Sequence, residues 1–106
     1  MTLLSVAQMN SQNNIEANFS VVESLIQQSK ADGAELIVFP ENFICFAAGK
    51  QRDTAEQFLS IQKRLEDLAH QYQIWIIAGT LPCPFRPNGS IISDGLVRTS
   101  SLCISP

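Results

Sequence analysis

The chain has 106 residues, of which 45% are hydrophobic and 16% are charged, and its formal net charge is −3. This length suits one small domain, and this composition is too apolar for a disordered chain. The seven Lys and Arg residues are scattered without a basic stripe, which argues against nucleic-acid binding.

The compartment is predicted from the N-terminus and the cysteines. The opening MTLLSVAQMN has no positive n-region and reads as neither a signal peptide nor a membrane span. Cys45, Cys83 and Cys103 are odd in number and widely spaced, which fits free thiols in the cytoplasm. There is no CxxC pair, and His70 has no partner at ligand spacing, so neither a metal site nor a cofactor is expected.

The first elements are a strand and a long helix. Leu3–Met9 is nearly all apolar, which predicts a strand covered on both faces. Asn13 or Asn14 can cap a helix that begins at Ile15 and stops near Gly33, where a left-handed backbone is easily adopted. The apolar stripe of this helix is Ile15, Phe19, Val22, Leu25 and Ile26.

A second strand and a second helix follow. Glu35–Phe39 predicts a short strand that Pro40 terminates, and residues 41–52 read as a loop. Asp53 followed by Glu56 resembles a capping box at the start of the second helix. The apolar stripe of that helix is Phe58, Ile61, Leu65, Leu68 and Tyr72.

The last third predicts two further strands. Ile74–Ala78 is apolar on both faces, and residues 79–89 read as a proline-rich loop with a turn at Asn88-Gly89. Leu96–Ile104 predicts the fourth strand. Alternating strands and helices predict an α/β fold with a parallel sheet in a single domain, residues 1–106. Two helices cover only one face of the sheet, so the other face needs a partner, and this domain is expected to be incomplete.

Glu41 is the candidate catalytic residue. It lies two residues past Phe39, at the carboxyl end of a predicted parallel strand, where functional groups gather. Phe39 and Phe43 flank it, and a carboxylate in apolar surroundings loses solvation and accepts a proton more readily, which suits a general base. The alternative is a capping or surface glutamate in a loop.

The stretch from Val6 to Phe43, with its boxes QMNS and PENF and with Asn18 in the first helix, resembles the N-terminal part of the nitrilase (carbon–nitrogen hydrolase) superfamily. The resemblance is strongest to the branch of deaminated-glutathione amidases and omega-amidase relatives. It continues through IWIIAGTLP and GLVRTSSLCISP, and so covers essentially the whole chain.

The resemblance implies a four-layer αββα sandwich, of which this chain is the N-terminal portion, and a Cys-Glu-Lys mechanism acting on a small-molecule amide. Deaminated glutathione and an alpha-keto acid amide are the implied substrates, and a homo-oligomer is the implied assembly. Of the three catalytic residues only the glutamate maps to this chain, onto Glu41, so residues 1–106 alone are expected to be inactive.

No other residue matches the catalytic pattern of the family. Lys30 and Lys63 fall on predicted helices, and Lys50 lies in a loop outside the lysine context of the family. Cys45 follows Glu41 by four residues, but FICFAAG does not match the nucleophile elbow, so all three cysteines are interpreted as packed residues. His70 is interpreted as a surface residue near a helix C-terminus.

Two other functions are considered. A truncated chain could be a non-catalytic remnant or an interaction module that binds a partner through its uncovered sheet face. A nucleotide-binding half-domain is disfavoured, because the loop NSQNN after the first strand has neither GxGxxG nor a Walker lysine.

Overall fold

The computed structural model describes residues 2–92 and 96–106, which form a four-stranded sheet with helices against one face. In order across the sheet, the strands are β1 (Leu4–Val6), β2 (Leu36–Val38), β3 (Trp75–Cys83) and β4 (Arg98–Ile104). The helices are α1 (Ile15–Ala31), α2 (Gln51–Glu56) and α3 (Phe58–Tyr72). The α/β class is confirmed.

The sheet is mixed rather than wholly parallel. β1, β2 and β3 are parallel, and each connection between them contains a helix. β4 runs antiparallel to β3. No described helix lies between β3 and β4, and a parallel pair needs a long crossover, so the chain returns in the opposite direction.

Both ends of α1 follow the sequence prediction. Asn14 is the N-cap, and its side-chain oxygen accepts the backbone N–H of Ala17 at 3.0 Å. The helix ends at Ala31, and Gly33 has a φ of +89°, in the left-handed region that glycine adopts without a Cβ clash.

The expected capping box at Asp53 is wrong. Asp53 lies inside α2, a separate short helix whose N-cap is Lys50 and which has no side-chain cap. Gln57 then separates α2 from α3. The stripe predicted for the second helix therefore lies on α3 alone, and α2 begins at Gln51, inside the segment predicted as a loop.

The third strand is longer than predicted, because β3 continues through Leu81, Pro82 and Cys83. Beyond Thr80 this strand pairs with β4 alone, so a proline that lacks an N–H is tolerated there. The turn at Asn88-Gly89 is confirmed, since Gly89 has a φ of +87° and donates its N–H to the Arg86 carbonyl at 2.8 Å.

The core lies between the helices and one face of the sheet. Register places Ile37, Ile76 and Ile104 side by side on that face, where all three are buried. Opposite them pack the buried stripe residues of the two long helices, Phe19, Val22, Ile26, Ile61, Leu65 and Ala69. Fully burying one such aliphatic side chain contributes about 1.5–3 kcal/mol to folding.

The opposite face of the sheet is uncovered. We call it the open sheet face, and its exposed members are Leu4, Val6, Trp75 and Cys103. Val6 is 83% exposed and Leu4 is 57% exposed. The expectation that the first strand is covered on both faces is therefore wrong in this chain, whereas the expectation of one bare sheet face is confirmed.

Candidate active site

Glu41 follows β2 at the carboxyl end of the strand. The parallel pairing with β3 reaches beyond the strand, since Phe39 donates its N–H to the Ile77 carbonyl at 3.0 Å. Glu41 itself forms an isolated parallel bridge with Thr80. The backbone of Glu41 is thus attached to the sheet, rather than carried on a free loop.

The residue after Glu41 is held in an uncommon conformation. Asn42 has a φ of +49°, and its N–H lies 3.1 Å from both the carbonyl oxygen and the Oγ1 of Thr80. Left-handed backbone is sparsely populated by residues other than glycine and persists where the surroundings enforce it. The bonds to Thr80 fix the peptide bond between Glu41 and Asn42, directly beside this uncommon conformation.

The aromatic residues around Glu41 lie under it and do not enclose it. Phe39 and Phe43 are buried and stack with ring centroids 4.9 Å apart, whereas Glu41 is exposed. The apolar enclosure of Glu41 that the flanking sequence predicted is therefore not observed, since the residue is exposed. The two rings point into the core because they extend the apolar side of the sheet, and the carboxylate is left accessible.

A second set of hydrogen bonds holds the far side of this segment. The buried side chain of Asn18 donates from Nδ2 to the carbonyls of Ile44 and Gln12, at 2.7 and 2.8 Å, and accepts the N–H of Gln12 at 2.9 Å. The Ser11 hydroxyl donates to the Phe43 carbonyl at 2.7 Å. Asn18 thereby joins α1 to the segment that carries Glu41.

Sequence reasoning noted Asn18 only as part of the resemblance and missed its structural role. A signal was present, since Asn18 lies three residues after Ile15 and four before Val22, on the apolar stripe of α1. A polar side chain on a buried stripe needs hydrogen-bond partners inside the protein. The stripe pattern could therefore have identified it.

Within residues 2–92 and 96–106, no lysine forms an ion pair or a hydrogen bond with Glu41. Lys30 donates to the Gln73 carbonyl at 3.0 Å. Lys63 lies 2.8 Å from Asp67, an arrangement that raises the pKa of Lys63 chiefly through that hydrogen bond. Lys50 lies 3.9 Å from Asp53. The interpretation of Lys30 and Lys63 as helix-surface residues agrees with these positions.

The three cysteines carry free thiols in different surroundings. Cys83 is buried, Cys103 is exposed on the open sheet face, and Cys45 is partly buried with its Sγ 3.8 Å from Asn13 Oδ1. Within the described ranges, none of them forms a hydrogen bond with Glu41. His70 lies exposed in the last turn of α3, as expected.

Over residues 2–92 and 96–106, no group of three or more His, Cys, Asp or Glu side chains is placed to hold a metal ion. None of the helices in those ranges has the length and apolarity required to cross a membrane.

Comparison with known proteins points to one family. The family described as carbon-nitrogen hydrolase matches residues 3–101. A deaminated glutathione amidase of Synechocystis sp. is 35% identical over 86 residues, which are 77% of this chain and 31% of the relative. One from Yersinia enterocolitica is 32% identical over 102 residues, 93% of this chain and 34% of the relative.

Solved structures show the same fold. An amidase from Nesterenkonia sp. AN1 superposes with a TM-score of 0.80 at 17% identity, over 99% of this chain and 40% of the amidase. A mutant of that amidase has been solved in complex with butyramide. The chain thus spans about a third of the length of its curated relatives, and its mixed α/β fold is that of part of a nitrilase-superfamily amidase.

Proposed function

The chain belongs to the carbon–nitrogen hydrolase family, and from this premise we propose that the complete protein hydrolyses the C–N bond of a small amide with Glu41 as general base. One observation carries the proposal. Glu41 is an exposed carboxylate at the carboxyl end of a parallel strand, and its backbone is held by the sheet on one side. A base fixed in this way can meet a substrate without moving the scaffold.

The proposed chemistry needs two groups besides Glu41. Glu41 accepts the proton of a cysteine thiol, and the thiolate attacks the amide carbon while a lysine stabilises the oxyanion. Glu41 then returns the proton to the leaving nitrogen, so that ammonia or an amine departs, according to the substrate, and a thioester remains. Water gives a proton to Glu41 as it attacks the thioester, and Glu41 passes that proton to the cysteine sulfur as the acid leaves, which restores the free thiol and the ionised base.

We propose that the nucleophilic cysteine and the oxyanion lysine come from other parts of the complete enzyme. The observation behind this is that the described lysines pair with other groups and the described cysteines make no hydrogen bond with Glu41. Residues 1–106 would then be one part of a single hydrolase domain. Without the two missing groups, this part would not form the covalent intermediate.

The substrate class is proposed from the relatives. Two curated relatives at 35% and 32% identity are deaminated glutathione amidases, so we propose deaminated glutathione or a similar alpha-keto acid amide. The proposed mechanism uses no cofactor. A cytoplasmic location also remains a proposal, supported by three free thiols.

The test of Glu41 uses a complete amidase built on this sequence. Glu41→Gln keeps the size of the side chain and removes the base, so we expect kcat to fall by at least about 100-fold while the thermal midpoint stays near that of the wild type. Cys45→Ser is the matched control, since it changes a nearby polar group of the same loop and should leave kcat within about twofold.

The result can contradict the proposal in two ways. Robust hydrolysis of the amide by Glu41→Gln would remove Glu41 from the mechanism. A large loss of kcat in Cys45→Ser, together with a thioester on Cys45 detected by intact mass, would show that the nucleophile was misassigned.

A second candidate function is supported by the open sheet face. Leu4, Val6 and Trp75 expose apolar surface that a soluble domain normally covers. Residues 1–106 on their own would then act as a non-catalytic interaction module, or would self-associate through this face. The association state of the chain tests this alternative.

A further inference from the structure

The strand beside Glu41 contains an irregularity. Between two regular pairs of the β3–β4 ladder, β3 has two residues, Gly79 and Thr80, whereas β4 has only Ser101. The flanking pairs are Ala78 with Leu102 and Leu81 with Ser100. This is a β-bulge, which bends a strand locally and redirects what lies next to it.

The first bulge residue allows an unusually close approach of two backbones. A Cβ placed on Gly79 would lie 1.9 Å from the carbonyl oxygen of Pro40 and 2.4 Å from that of Phe39. Both atoms belong to backbone, so no side-chain rotation could relieve the overlap. Only glycine lets β3 lie this close to the two residues that precede Glu41.

The second bulge residue holds the backbone on the other side of Glu41. Thr80 forms the bridge with Glu41, and its carbonyl oxygen and Oγ1 both accept the N–H of Asn42. The Asn42 N–H lies in the peptide plane that begins at the Glu41 carbonyl, so an acceptor that binds this N–H fixes the orientation of that plane. The two acceptors of Thr80 therefore fix the peptide bond between Glu41 and Asn42.

From these contacts we propose that the bulge at Gly79–Thr80 positions the Glu41 carboxylate for proton transfer. Gly79 sets the approach of the chain before Glu41, and Thr80 sets the conformation of the chain after it. Both are positioning residues that act through Glu41. The inference rests on the proposed function of Glu41 as the base.

Positioning of this kind has a measurable effect on catalysis. A displacement of about 1 Å at a catalytic group can reduce the rate by about 100-fold. Proton transfer occurs over a heavy-atom distance of roughly 2.6–3.2 Å, so a base is sensitive to small movements of its own backbone. Binding of the amide uses other groups and should respond less.

The test compares two substitutions at Thr80 in a complete amidase built on this sequence. Thr80→Val keeps the shape of the side chain and removes the Oγ1 acceptor, whereas Thr80→Ser keeps a hydroxyl. We expect Thr80→Val to lower kcat by about tenfold with KM changed by less than about twofold, and Thr80→Ser to restore most of kcat. Gly79→Ala should lower kcat further, but it also disturbs packing. The comparison of Thr80→Val with Thr80→Ser is therefore the decisive test of the positioning role.

The outcomes separate this inference from the proposed function. Wild-type kcat in Thr80→Val alongside an inactive Glu41→Gln would overturn the positioning inference alone, and so would an equal loss in Thr80→Val and Thr80→Ser. If Glu41→Gln stays active, the proposed function fails. A crystal structure of Thr80→Val then decides whether the bulge positions the backbone of Glu41. A Glu41 backbone that stays within about 0.5 Å of its wild-type position would then overturn the inference, and a larger shift would support the structural part of it.

Discussion

Asn18 shows how one buried polar residue can organise a functional segment. Its side chain makes three hydrogen bonds, two to Gln12 and one to Ile44, although its neighbours on the apolar stripe of α1 make none of this kind. Each bond joins helix to loop backbone, so the position of the segment after β2 depends on this side chain. Gly79 and Thr80 act on the same segment from the sheet side.

Replacement of Asn18 tests this role. Asn18→Ala removes a hydrogen-bond partner from the Gln12 N–H and from the buried Ile44 carbonyl, and we expect the free energy of unfolding to fall by about 2–3 kcal/mol. Asn14→Ala is the control, because it removes one exposed capping bond at the start of the same helix and should cost about 1 kcal/mol. Urea unfolding at low protein concentration measures both, and equal losses would contradict the prediction.

At the scale of elements, α1 and α3 are joined across their exposed side by an ion pair. Arg64 donates to both carboxylate oxygens of Glu16, at 2.6 and 3.0 Å, and its guanidinium lies 3.8 Å from the centroid of the Phe19 ring. These hydrogen bonds from Arg64, with its charge, lower the pKa of Glu16 below 4.5. The pair thus links the two long helices whose buried stripes pack against the sheet.

The sign of this shift predicts how stability depends on pH. Because the folded-state pKa of Glu16 is lowered, its contribution is present above about pH 4.5 and is lost as the pH falls through the folded-state pKa. We therefore expect wild type to exceed Glu16→Gln in thermal midpoint at pH 7, and this difference to shrink at pH 3. The effect should be small and reduced by salt, since Glu16 is exposed.

The control for this measurement is Glu35→Gln, which removes one exposed carboxylate outside the helix pair. The difference in thermal midpoint between Glu35→Gln and wild type should change less between pH 7 and pH 3 than the difference for Glu16→Gln does. If the thermal midpoint of Glu16→Gln differs from that of wild type by the same amount at both pH values, the ion pair with Arg64 does not stabilise the fold.

At the scale of the whole molecule, the sheet has one covered face and one bare face. We expect a second sheet to cover the open sheet face in the complete protein, as in the αββα sandwich that the family resemblance implies. In the 106-residue chain alone, Leu4, Val6 and Trp75 remain accessible. Apolar surface of this kind favours association.

We expect residues 1–106 alone to form oligomers or aggregates and to bind an apolar dye. Val6→Lys places a charge on the open sheet face and should shift the chain toward monomer in light scattering. Leu59→Lys is the matched control, because Leu59 is also exposed, at 64%, but lies on α3 away from that face. A wild-type chain that is monomeric with low dye binding would contradict the prediction.

Local pattern in the sequence determined the order of the four strands and of the two long helices, the apolar stripes of α1 and α3, the cap at Asn14 and the place of Glu41 after a strand. These features depend on residues a few positions apart, so periodicity and capping chemistry reveal them. The exposure of Glu41, the reversed β4, the bulge at Gly79–Thr80 and the bonds of Asn18 were decided only by tertiary structure. Each joins segments far apart in the chain, and such pairings depend on packing and backbone hydrogen bonds that no local pattern encodes.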